Sequence, residues 1–341
     1  MFRRFSVMFT AAVVITLMAA AAPLTAQSDP TVIADGLTNP RHLIYDTDGT
    51  LYIVEAGTGG EVEVEGPFGN PVGTGGTGQV LAVPPGGEPS PLIVNLSSME
   101  NGIRGPMAIL PATDAFWLAL GEGPLSSPFT MATVALSRDT LRVQTYVDIY
   151  AHEAAENPDG DVIASNPADL ALADDGTLFI ADAACNCVLT WTEMDGLQTF
   201  AAWSIDDNPV PTSLAFSPEG DVYVGFLTGF PFPSEAARIE RWSRDGELVE
   251  TFTGLTTVVD LLVDEAGTLY AVEMTSGFGD SGFIPESGRV VAVSADGLTP
   301  VAEGLNMPYG LAQAPDGTLV VAVNAAFSAP GSGQVIALPG S

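Results

Sequence analysis

Asp175-Gly176-Thr177-Leu178-Phe179-Ile180-Ala181-Asp182 reads as a tight turn followed by an apolar strand, and the phrase recurs along the chain. Its other copies are Asp48-Gly49-Thr50-Leu51, Thr113-Asp114-Ala115-Phe116, Glu219-Gly220-Asp221-Val222, Ala266-Gly267-Thr268-Leu269 and Asp316-Gly317-Thr318-Leu319. Gly176, Gly220, Gly267 and Gly317 follow one another at 44, 47 and 50 residues, close to the roughly 40–50-residue period of propeller blades. A second phrase, seen at Thr77-Gly78-Gln79-Val80, Ser287-Gly288-Arg289-Val290 and Ser332-Gly333-Gln334-Val335, opens a third strand in its unit. Asp195-Gly196, Asp245-Gly246 and Asp296-Gly297 supply the hairpin turn into a fourth. Six units of four strands predict an all-β chain folded as a six-bladed β-propeller.

A propeller has to join its last blade to its first, because an open edge leaves unpaired backbone groups. Val32-Ile33-Ala34-Asp35-Gly36-Leu37, with Pro40 after it, aligns with Pro300-Val301-Ala302-Glu303-Gly304-Leu305 and Pro308. The chain ends soon after the third strand of the sixth unit. The segment beginning at Thr31 is therefore expected to supply the missing outer strand, within one propeller domain spanning residues 31–341. The second blade is the least regular, with a Pro- and Ser-containing stretch at 121–130 and an acidic return at 151–164.

Arg3 and Arg4 precede an apolar run from Val7 to Ala22 that ends near Ala26, the pattern of a secretory signal peptide covering residues 1–26. The alternative is a retained membrane anchor, against which the run is shorter than the roughly 20 residues a span needs. Export to the periplasm or the extracellular medium is the expectation, with no membrane association after cleavage and a monomeric state. The chain has 10 Lys and Arg, every one of them Arg, against 42 Asp and Glu. Such a surface repels phosphate backbones, so nucleic acid is excluded as a partner. The lack of Lys removes Schiff-base chemistry and a lysine-assisted phosphate site.

Cys185-Asn186-Cys187 is either a pair of free thiols or a one-residue disulfide loop, and too few ligands surround it for structural zinc. Gly73-Thr74-Gly75-Gly76-Thr77-Gly78 and Gly277-Phe278-Gly279-Asp280-Ser281-Gly282 match the spacing of a dinucleotide fingerprint, but no helix follows either. Both are expected to be Gly-rich hairpin loops, and no nucleotide cofactor is expected.

Alternating strand direction brings the starts of the first strands and the loops after the second strands to one face. Arg41 and His42, Arg104 with Met107, Asp169, Thr212 and Ser213, Asp260 and Tyr309 come from the former; Glu55, Glu122, Asp182 and Glu273 come from the latter. Long insertions at 56–76, 227–236, 274–286 and 324–332 would wall a pocket there. His42, Asp169, Ser213, Asp260 and Gly310 occupy equivalent places. Asp169 and Asp260, assisted by Glu55 or Glu273, suit Ca²⁺; alternatively they satisfy backbone groups inside the channel. Arg41 and Arg104 either hold a carboxylate of a bound molecule or pair with neighbouring side chains. Arg41, Arg104, Ser213 and Tyr309 form the candidate ligand-binding set, and His42 is the candidate general base should the protein be an enzyme.

Gly36-Leu37-Thr38-Asn39-Pro40-Arg41-His42-Leu43, then Asp48-Gly49-Thr50-Leu51-Tyr52-Ile53-Val54-Glu55-Ala56-Gly57, then a Gly-rich insertion ending in Thr77-Gly78-Gln79-Val80, resembles the ScyD/ScyE family of exported propellers. That resemblance implies a six-bladed fold of the NHL-like or TolB-like kind and export, in a family associated with scytonemin-type pigment gene clusters; it implies no catalytic residues. The related SMP-30 and gluconolactonase propellers hold a divalent metal with a Glu, two Asn and an Asp. Here Arg41 and His42 stand where the Glu would open the first blade, Ala168 and Asp169 replace an Asn, and Asp260 is displaced by one residue. The resulting expectation is a protein that binds a small molecule or an extracytoplasmic partner at the loop-walled face. The alternative is a metal-dependent, lactonase-like hydrolase or a secondary-metabolite tailoring enzyme, ahead of a quinoprotein sugar dehydrogenase.

Overall fold

A computed structural model describes residues 30–65, 71–125, 127 and 129–339. The expected leader, residues 1–26, lies outside them. Among the described residues, six antiparallel sheets form a ring of blades. The innermost strands are Pro40–Tyr45, Pro106–Pro111, Pro167–Leu172, Pro211–Phe216, Val258–Val263 and Leu311–Gln313, in blades 1 to 6. The second strands are Leu51–Glu55, Ala115–Leu120, Leu178–Asp182, Val222–Phe226, Leu269–Glu273 and Leu319–Val323.

Turn chemistry joins each of these pairs. Gly49, Gly176 and Gly317 hold φ of 83°, 85° and 91°, a left-handed conformation that only glycine adopts freely. The Asp before each accepts a hydrogen bond from the Thr backbone N–H after it, at 2.9, 2.9 and 3.0 Å. Ring closure follows the sequence expectation: Val32–Leu37 pairs antiparallel with Gly333–Ala337, with Val32 opposite Ile336 and Leu37 opposite Gly333. The Ala337 N–H donates to Thr31 O at 2.8 Å.

Among the described residues the apolar core is divided into clusters shared between neighbouring blades. Leu37, Leu43 and Ile53 pack with Ala312, Val320 and Val335 where blade 6 meets blade 1. Phe179 and Val188 pack with Leu214 and Phe226 between blades 3 and 4.

Two segments differ from the sequence expectation. The insertion at 56–76 is a hairpin over much of its length, because Val62–Glu65 pairs with the start of the long strand Pro71–Val83. Its glycines permit close backbone approach: a Cβ on Gly73 would lie 2.3 Å from Gly60 O, and one on Gly60 would lie 2.5 Å from Thr74 O. The first Gly-rich motif thus lies within a strand, while the second forms the small hairpin Phe278–Gly279 and Gly282–Phe283. The acidic return after blade 2 carries a short helix, Ile149–Glu156, capped by Asp148, whose side chain accepts the Ala151 N–H at 2.9 Å. No helix among the described residues is long and apolar enough to cross a membrane.

Candidate functional site

The first strands enter the channel through a repeated irregularity. In blade 1, Pro40 pairs with Glu55 and His42 with Val54, so Arg41 is an extra residue opposite no partner. The register slips in the same way at Met107, Ala168, Thr212 and Val259. In a regular strand successive side chains face opposite sides, whereas a bulge re-aims them. Here two successive residues reach the channel, at different depths. Arg41, Met107, Ala168, Thr212, Val259 and Tyr309 line an upper chamber of about 210 Å³ beneath the long insertions. His42, Asp169 and Asp260 line a lower chamber of about 320 Å³ that follows the first strands toward their far ends at Tyr45, Phe216 and Val263. The single face expected from the sequence is thus divided in two.

The lower chamber is acidic and tightly tied. Asp169 accepts the Leu170 N–H at 2.7 Å and the Leu214 N–H of blade 4 at 2.8 Å. Asp260 accepts the Leu261 N–H at 2.9 Å and the Leu311 N–H of blade 6 at 2.6 Å. Each carboxyl thereby bolts its blade to the next. Burial pushes Asp169 up to about 7, against the pull of those N–H donors. Burial, with the charge of Asp169, raises Asp260 well above the carboxylate range. His42 Nε2 lies 3.6 Å from Asp169 Oδ1, and burial lowers the imidazole to about 4, so it is neutral at pH 7. Ser213 is fully buried at the equivalent place in blade 4 and does not line this chamber.

The carboxylates that end the second strands clasp the segment leading into their own blade. Glu55 accepts the Thr38 N–H and Asp182 the Asn166 N–H. Glu273 accepts the Thr256 N–H at 2.6 Å and pairs with Arg289. Burial raises Glu55 despite its hydrogen bonds. Among the described residues no three His, Cys, Asp or Glu side chains are gathered closely enough to hold a metal ion; Glu55 and Glu273 are not brought into one cluster with Asp169 and Asp260. Arg104 pairs with Glu100 and Glu122. Cys185 and Cys187 form a disulfide.

Arg41 is different. It is 4% exposed, donates from Nη1 to Ala325 O at 2.9 Å and from Nη2 to Gly102 O at 2.7 Å, and lies over the Tyr309 ring, 4.8 Å from its centroid. Its Nε has no hydrogen-bond partner among the described residues. Above it, insertions from three blades converge as a cluster of phenylalanines. Phe283 of blade 5 is the hub, with its ring centroid 5.0 Å from those of Phe232 of blade 4, Phe278 of its own blade and Phe327 of blade 6. Phe232, Phe283 and Phe327 line the upper chamber. Phe283 and Phe327 also wall an adjoining outer groove of about 670 Å³. Another groove, about 510 Å³, lies between blades 1 and 2 among Val94, Leu96, Phe129 and Val143, with no ionisable side chain among its described lining residues.

No family model and no curated protein matches the chain. Solved structures do resemble it. A putative oxidoreductase (glucose dehydrogenase) from Thermus thermophilus aligns over 91% of this chain and 99% of its own, at 12% identity and a TM-score of 0.56. Virginiamycin B lyase from Staphylococcus aureus aligns over 88% and 95%, at 11% identity and 0.52. A luciferin-regenerating enzyme aligns over 92% and 96%, at 13% identity and 0.54. Likeness at this identity shows the six-bladed scaffold, which hosts different chemistries in these neighbours.

Proposed function

We propose that this chain is an exported, monomeric propeller of the ScyD/ScyE kind that binds a small apolar molecule at the upper mouth of its channel. The observation that carries the reading is the phenylalanine cluster built by three separate insertions over a chamber floored by Tyr309 and Arg41. Phe278, Phe327 and Phe230 are 40%, 56% and 74% exposed. An exposed apolar patch of this kind marks an interaction site, and a concave apolar wall with a few converging polar groups is the usual form of a ligand site. The test is titration with a neutral fused-ring probe, 2-naphthamide. Binding that weakens about tenfold or more in a Phe283→Ser, Phe327→Ser double variant of unchanged melting temperature supports the mouth. Absence of binding of both 2-naphthamide and the corresponding carboxylate, 2-naphthoate, by the wild-type protein rejects it.

A second reading, a hydrolytic or tailoring enzyme, is favoured by Asp169, which burial pushes up to about 7 beside a neutral His42. A general base works best with a pKa near the operating pH, so Asp169 suits that role better than His42, the sequence candidate. This chemistry would use the lower chamber, and loss of turnover in Asp169→Asn is its test.

A further inference from the structure

We infer that the molecule bound at the upper mouth is a small planar aromatic anion, of the carboxylate or phenolate class, with its charged head at Arg41 and its ring among Phe283 and Phe327. The inference rests on the proposed mouth site and adds the charge of its ligand.

Acidic side chains far outnumber basic ones, 42 against 10, so counter-charge for any arginine is plentiful. Arg104, Arg138, Arg238, Arg241, Arg244 and Arg289 each pair with at least one carboxylate. Among the described residues Arg41 and Arg142 have no carboxylate ion pair; Arg142 is exposed to water, whereas Arg41 is buried. Burying an ion is costly unless it is paired and hydrogen-bonded. Two backbone carbonyls and a ring face offset part of that cost and leave the guanidinium's charge without a counter-ion. A ligand anion in the chamber that Arg41 lines would supply that counter-charge in a place largely walled off from bulk water, where a charge-assisted bond is strong.

The surroundings then select among ligands. A cage of aromatic rings alone would suit a quaternary ammonium group, but the guanidinium in its floor repels a cation. At about 210 Å³ the chamber is smaller than the roughly 300–1,000 Å³ of ordinary ligand pockets. Only a compact head fits, with the remainder of the ring system passing Phe283 and Phe327 into the outer groove. Arg41 also holds the Ala325 carbonyl, two residues from Phe327, so the head site and the ring site are mechanically connected.

The experiment is calorimetric titration of the purified protein with 2-naphthoate, 2-naphthamide and 2-naphthylmethylammonium at constant ionic strength. The expected order is naphthoate tightest, at least tenfold over the amide, with the ammonium weakest. Arg41→Gln should bring naphthoate and naphthamide within about twofold of each other, while Arg41→Lys retains a preference for naphthoate. Equal binding of naphthoate and naphthamide by the wild-type protein, both lost in Phe283→Ser, Phe327→Ser, overturns the anion and leaves the mouth site standing. Preference for the ammonium also overturns it. If none of the three binds, mouth and anion fall together. Should the Arg41 variants not fold, the wild-type order of the three probes decides alone.

Discussion

His42 of blade 1 and Asp169 of blade 3 meet across the channel, Nε2 of the imidazole 3.6 Å from Oδ1 of the carboxyl, and burial moves their protonation in opposite directions. Asp169 rises to about 7 in the folded protein, against roughly 4 for an unfolded carboxyl. The fold therefore holds that proton more tightly, unfolding releases it between about pH 4 and 7, and stability falls as pH rises through that window. His42, lowered to about 4 from an unfolded value near 6.5, has the opposite sign: its contribution is lost as pH falls from about 6.5 to 4. Each tenfold change in proton affinity on folding is worth about 1.4 kcal/mol. Urea unfolding across this range should therefore show Asp169→Asn gaining on the wild-type protein by a few kcal/mol toward pH 7. His42→Gln should gain on it by a similar amount toward pH 4. Parallel pH profiles for all three proteins would mean that neither group is perturbed.

Leu37, in the strand that closes the ring, is 2% exposed and packs into the core between blades 6 and 1, whereas Val32 of the same strand is 46% exposed. Leu37→Ala should cost about 2–5 kcal/mol, read as a lower denaturation midpoint with an unchanged slope. Val32→Ala should stay within about 0.5 kcal/mol of the wild-type protein. Equal effects of the two changes would show that the closing strand is not part of the cooperative unit.

Much of this architecture is legible in the sequence because it rests on local repeats. The turn at Asp316-Gly317-Thr318-Leu319 and the likeness of Val32–Leu37 to the strand ending at Leu305 each carry their own signature. The division of the channel does not. A bulge at Arg41 differs from a regular strand by one backbone register, which no residue pattern announces, so Arg41 and His42 read as neighbours on one face rather than as members of two chambers. The phenylalanine cluster is equally hidden. Phe232, Phe283 and Phe327 lie 51 and 44 residues apart in Gly- and Pro-containing insertions, and periodicity describes strands, not which loop tips meet. The helix Ile149–Glu156 is too short to show a clear apolar stripe; its start is marked only by Asp148.

Gly310 stands where blade 6 presses against blade 1. A Cβ there would lie 2.8 Å from Leu43 N and 2.9 Å from Arg41 O, both backbone atoms that cannot swing away. Gly310→Ala is expected to cost about 1–3 kcal/mol, the usual penalty of overpacking. Gly279→Ala, whose Cβ would meet only Gly282 O at 3.9 Å, is the control and should be close to neutral. A tolerated Gly310→Ala would mean that the last blade can shift outward without loss.

The four carboxylates proposed from the sequence as calcium ligands are each engaged with backbone amides. Asp169 takes the N–H groups of Leu170 and Leu214, Asp260 those of Leu261 and Leu311, Glu55 that of Thr38 and Glu273 that of Thr256. Their positions serve blade-to-blade and strand-to-linker clasps, and a cation would have to compete with those donors. Calcium is therefore expected to raise the melting temperature no more than sodium chloride at matched ionic strength, since both screen the repulsion of an acidic surface. Glu273→Ala should instead destabilise the fold by about 1–3 kcal/mol, because the buried Thr256 N–H loses its acceptor, and added calcium should not change that difference. A calcium-specific rise that disappears in Asp169→Asn, Asp260→Asn would place an ion between those two carboxyls and turn the lower chamber from a structural bolt into a metal site.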